Sequence, residues 1–72
     1  TLTQLRYVIT IADTGSMKEA SKALLSPQPS LSQAVKELET EIGAELFKRS
    51  NRGVSVTQEG IEFLGYARQV VE

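Results

Sequence analysis

The sequence predicts a mainly α fold with one small β-hairpin, and three observations carry that prediction. Apolar residues recur at helical spacing in three stretches before Gly43 and again after Thr57. Between residues 46 and 56 the helical period disappears, and two short runs flank the turn-forming stretch Ser50-Asn51-Arg52-Gly53. Two prolines in Ser26-Pro27-Gln28-Pro29 forbid a continuous helix there and place a tight turn between the second and third helices.

Each element follows from local signals. In the first helix, Leu2, Leu5, Val8, Ile9 and Ala12 define one apolar face. Thr1 with Gln4 matches a capping box, in which each side chain satisfies an orphan amide, and Gly15 is placed to end the helix in a left-handed conformation. Ser16 with Glu19 forms a second capping box, followed by the inward stripe Met17, Ala20 and Leu24. Ala20 and Ala23 are small enough to let a neighbouring helix approach closely. A third helix is expected from Ser26 as cap and Pro27 as first residue to about Ile42, with Gly43 as its stop. Leu31, Val35, Leu38 and Ile42 share its inner face. A turn of about 100° per residue sets Gln33, Lys36 and Thr40 opposite them, with Ser32 on the flank.

The period then changes. Leu46-Phe47-Lys48-Arg49 and Val54-Ser55-Val56 read as two short strands of a hairpin. Thr57 caps a last helix, and Glu59 lies near its positive end. Ile61, Leu64, Ala67, Arg68 and Val71 mark one stripe of that helix, widened by Phe63, Tyr66 and Val70. No stop signal precedes Glu72, so the chain is expected to continue. The order is helix, helix, turn, helix, hairpin, helix, the order of a winged helix-turn-helix: residues 1–56 form the winged unit and 57–72 begin a further helix.

Composition narrows the function. Seventy-two residues make one domain with a modest core. Cysteine and histidine are both absent, which removes disulfides, thiolate metal sites and the commonest general base. No glycine-rich phosphate loop or carboxylate pair suggests catalysis, so no enzyme activity, cofactor or metal is expected. No apolar run reaches membrane-spanning length and no signal peptide opens the chain, so a soluble, cytoplasmic protein without a membrane partner is expected. The net charge of −1 predicts weak non-specific binding to nucleic acid. Its distribution is uneven: Glu37, Glu39, Glu41 and Glu45 form an acidic block, whereas Lys48, Arg49 and Arg52 follow with no acid among them. A local basic patch meets phosphate even on an acidic chain.

Two helices joined by a tight turn, the second polar on one side, suit insertion into a major groove, and a basic hairpin tip suits a wing. The residues in that frame resemble the LysR-type bacterial transcription regulators. Gly15-Ser16 with Ala20 and Leu24 is similar to that family's second helix. Gln28-Pro29-Ser30-Leu31-Ser32, then Val35, Leu38 and Glu39, resembles its recognition helix. Gly43, Leu46-Phe47, Arg49, Arg52, Val56-Thr57 and Gly60 resemble its wing and the entry to its linker helix.

The resemblance implies sequence-specific binding of double-stranded DNA, with a recognition helix at about 28–42 in the major groove and a wing at about 46–56 against the minor groove or backbone. It implies that Gln28, Pro29, Ser30 and Gln33 meet base edges, glutamine being able to pair bidentately with adenine. Ser32 and Lys36 would contact phosphate or the groove margin, and Arg52 would enter or border a narrow minor groove. Ser16, a helix cap, would also hold a phosphate with exposed amides. Arg49 has two readings, a phosphate contact or an ion pair with Glu45 or Glu59 that braces the wing. Two departures weaken the carry-over: Pro27 stands where the family often has Ser or Thr, and Gln33-Ala34 where it often has Arg and Gln.

The same resemblance implies a homodimer through the last helix, with Ile61, Leu64, Gly65, Arg68 and Val71 in the seam, and is compatible with a tetramer of the whole protein. A small-molecule inducer would act through a C-terminal sensing domain expected beyond Glu72. The acidic residues read as a solvated face, with Glu39 held back for packing or salt bridges, and Tyr7, Phe47, Phe63 and Tyr66 as core or interface. The rival reading is a winged helix for protein–protein contact, which would use the last helix and leave the Gln33 face idle.

Overall fold

The computed structural model describes residues 2–71. It contains α1 (Leu2–Thr14), α2 (Met17–Leu24), α3 (Gln28–Ile42), β1 (Phe47–Ser50), β2 (Gly53–Val56) and α4 (Gln58–Val71). The capping role of Thr1 lies outside the described residues, as does Glu72.

Helix α1 packs against α2, α3, α4 and β2, and its inward residues Val8 and Ile11 are fully buried. Around them gather Ala20 from α2, Leu31, Val35 and Leu38 from α3, Leu46 and Phe47 at the hairpin entry, and Leu64 from α4. Burying each large aliphatic side chain contributes roughly 1.5–3 kcal/mol. Three expectations for this core are corrected. Leu2, expected on the apolar face of α1, is 49% exposed at the start of the helix. Ala23 is exposed, so the close approach at α2 rests on Ala20. Ile42 is 41% exposed, because the last turn of α3 runs past the edge of the core.

The helix ends follow their caps. Gly15, at φ +68°, closes α1 by donating its amide to Ile11 O at 2.9 Å. Ser16 Oγ accepts from Glu19 N at 3.2 Å, while the Ser16 amide faces Thr14 Oγ1 at 3.5 Å instead of completing the box with Glu19. The start of α3 is also corrected. Its N-cap is Pro27, without a side-chain cap, and Pro29 sits in the first turn. Ser26 is engaged elsewhere: its hydroxyl lies 3.1 Å from the Tyr7 hydroxyl.

The two strands pair antiparallel, with Phe47 opposite Val56 and Ser50 opposite Gly53, so Asn51-Arg52 is a two-residue turn. Leu46, expected in the first strand, precedes it. Its amide turns to Glu39 Oε2 at 2.6 Å, and its carbonyl accepts from Thr57 N at 3.0 Å. Thr57 caps α4 as expected, accepting from Gly60 N at 2.9 Å.

Candidate nucleic-acid interface

The first turns of α3 supply the outward surface. Because Leu31, Val35 and Leu38 must face the core, the helical period turns Gln28, Pro29, Ser30, Gln33 and Lys36 to the exposed side. Ser32 lies on the flank, half-buried, on the side of the hairpin.

That flank is where helix and wing meet. Arg49 Nη2 donates to Ser32 Oγ at 2.7 Å, across 17 positions of sequence. The partner of Arg49 is therefore a hydroxyl on α3; of its two readings, the bracing of the wing goes through Ser32 rather than through Glu45 or Glu59. The reason is geometric: β1 follows α3 closely enough for the long Arg49 side chain to reach back to Ser32. Lys36, one turn after Ser32, borders the same cleft of about 270 Å³ together with Met17, Val35 and Phe47. Ser32, Lys36 and Arg49 thus line one polar cleft with two cations and a hydroxyl, and the Glu39 carboxylate borders it as well.

Two contacts that sequence reasoning missed hold the wing in place. The sequence places Glu39 among the solvated acids or holds it back for packing or salt bridges. It accepts from the amides of both Leu46 and Phe47, at 2.6 and 3.4 Å, and so orients the entry to β1. The only signal for this was the place of Glu39 in the family resemblance. At the other strand, Val54 N donates to Gly15 O at 3.0 Å, tying the wing to the α1–α2 turn. Gly53 makes that approach feasible: it has φ +122°, and a Cβ there would lie 2.6 Å from Gly15 O. Ser16 is therefore next to the point where β2 crosses, and its Oγ is already engaged by Glu19 N.

Arg52 lies at the exposed tip of the hairpin, with its backbone amide donating to Ser50 Oγ at 3.2 Å. Arg52 does not line the cleft shared by Ser32, Lys36 and Arg49. An α-helix with its side chains is about 10–12 Å wide, which matches a major groove about 12 Å across. The extents of the whole molecule are 24 × 23 × 19 Å.

On α4 the residues assigned to a seam divide. Leu64 is buried in the chain's own core, which leaves it little surface for a second chain. Arg68 forms an ion pair with Asp13 of α1 at 2.5 Å, and Val71 is half-buried. Ile61 and Gly65 face outward, and the outward apolar surface also includes Tyr66 and Val70. Tyr66, read as core or interface, is 64% exposed. Among the described residues no helix is long and apolar enough to cross a membrane.

Residues 2–61 match the family described as bacterial regulatory helix-turn-helix protein, lysR family. The transcriptional regulator TcbR from Pseudomonas sp. (strain P51) is 39% identical over 69 residues, covering 96% of this chain and 24% of that protein. PecT from Dickeya dadantii is 40% identical over 68 residues, 94% of this chain and 22% of that regulator. The chain thus spans about a quarter of the length of these relatives. Among solved structures, the DNA-binding domain of CbnR in complex with DNA aligns with a TM-score of 0.95 at 37% identity, covering 99% of this chain and 82% of that one. The BenM DNA-binding domain on catB site 1 DNA gives 0.93 at 35% identity, over 99% and 80% of the two chains.

Proposed function

The chain belongs to the LysR family of bacterial regulatory helix-turn-helix proteins, and from that premise we propose that it binds double-stranded DNA sequence-specifically to regulate transcription. One observation carries the reading. The exposed face of α3 and the Arg49 wing joined to it at Ser32 form a single polar surface, in a chain that aligns end to end with domains solved on DNA.

Gln28, Pro29, Ser30 and Gln33 read base edges in the major groove, where glutamine pairs with adenine. Ser32, Lys36 and Arg49 hold the backbone at the groove margin, and Arg52 reaches the minor groove. Ser16, at the start of α2, adds a phosphate contact. The protein acts in the bacterial cytoplasm and is not an enzyme. Residues 1–56 form the reading unit, and α4 begins a linker helix. A second copy docks on its outward face through Ile61 and Gly65, joined by Tyr66 and Val70 and flanked by Arg68 and Val71. In a longer protein of the relatives' size, an inducer would act through a further, sensing domain, and the reading is compatible with a tetramer.

The test is a selection of bound duplexes from a random pool. An inverted repeat should be enriched, with Gln33→Ala flattening the preference at one position at a cost of about 1–3 kcal/mol. Arg52→Ala should weaken binding mainly at A/T-rich flanks. No enrichment even at low salt, where phosphate contacts are strongest, would sink the proposal. The outward apolar face of α4 supports the rival protein-contact reading, which predicts that Gln28, Gln33 and Arg52 can be replaced without consequence.

A further inference from the structure

Gln33 and Glu37 stand one turn apart on the outward face of α3, and Gln33 Nε2 donates to Glu37 Oε2 at 3.3 Å. Both are exposed and line the same shallow groove beside Gln4, Lys36 and Thr40. Glu41, one turn further, borders that groove with like charge, which disfavours Glu37 swinging away from Gln33 toward the helix C-terminus.

A glutamine amide offers two N–H donors and one carbonyl acceptor. Left free, it rotates about its last torsion. It can then face adenine with donor and acceptor together, or turn its amino group alone toward the two acceptors of guanine, N7 and O6. With one N–H committed to Glu37, one donor and one acceptor remain for the base. That pair matches adenine, whose N7 accepts and whose N6 amino group donates. Guanine presents only acceptors on that edge and meets a lone N–H beside a carboxylate. We infer that Glu37 is a positioning residue that narrows Gln33 to adenine and weakens DNA binding overall through its charge. The inference rests on the reading that α3 enters the major groove.

The experiment uses the 72-residue chain and duplexes carrying the enriched site, with each of the four base pairs at the position where Gln33→Ala flattens the preference. The unmodified chain should favour adenine over guanine by about tenfold. Glu37→Ala should cut that ratio to about threefold or less, while tightening binding to all four duplexes. Glu37→Gln keeps an acceptor for Gln33 and loses the charge, so it should tighten binding and retain the ratio. Glu37 is exposed, and unchanged far-UV circular dichroism checks that the fold survives. If Glu37→Ala keeps the full ratio, or if both variants lower it alike, the positioning role is overturned while DNA binding stands. If Gln33→Ala flattens no position, the role falls with the readout it was meant to direct. A chain with no preference among duplexes overturns the DNA reading and the inference together.

Discussion

Arg49 illustrates how a single residue joins two parts of this surface. Its bond to Ser32 holds β1 against α3 and leaves the remaining guanidinium N–H groups available to a phosphate. Replacing it with alanine should weaken binding by a similar factor across sequences and reduce the salt slope by about one, as for any lost phosphate contact. Titrations at several salt concentrations measure both. A change of base preference instead would mean that Arg49 reads sequence. Gly53 has the opposite kind of role, defined by what it lacks. Gly53→Ala must place a Cβ against Gly15 O at φ +122°, so it should destabilise the fold by about 2 kcal/mol or more. Denaturant unfolding reads that loss. The types and exposure of Gln28, Gln33, Lys36 and Arg52 were legible in the sequence, because a 3.6-residue period or a turn fixes which side they face. The partners of Arg49 and Glu39 were not. Those contacts depend on how the hairpin returns to α3 across 17 and 7 positions, and no local period encodes that distance.

At the scale of elements, the helices were legible nearly to their ends, since Gly15, Ser16, Gly43 and Thr57 all punctuate them where expected. The turn before α3 was less so. Two prolines and a serine left several ways to begin a helix, and the hydrogen bond between Ser26 and Tyr7, 19 positions earlier, takes the serine out of the capping role. The same turn holds Leu25 at φ +54°, with 92% of its surface exposed. A left-handed leucine costs roughly 1–2 kcal/mol, and so exposed a side chain gains little from packing. Leu25→Asn should therefore stabilise the domain by about 1 kcal/mol, raising the thermal midpoint by about 4–8 °C for a chain of this size. A scan that shows a fall would mean that Leu25 packs in a way its exposure hides.

For the whole molecule, one small core around α1 orients every outward element. The buried stripe of α4 includes Leu64 and Ala67, so the helix that carries the proposed seam is also part of the reading unit's core. The family resemblance implied Leu64 for the seam, and periodicity could not object: a helix apolar on two sides does not show which side meets the rest of the chain. Net charge −1 gives the molecule little general attraction to DNA. On the proposed reading, affinity then depends on the local cluster at Ser32, Lys36 and Arg49 and on base contacts from α3. The most direct test follows the backbone amides by NMR while the selected duplex is added. The largest shifts should fall at residues 28–36 and at Asn51-Arg52, and should vanish with a scrambled duplex. Shifts confined to residues 58–70, with the start of α3 and the wing unmoved, would contradict the account.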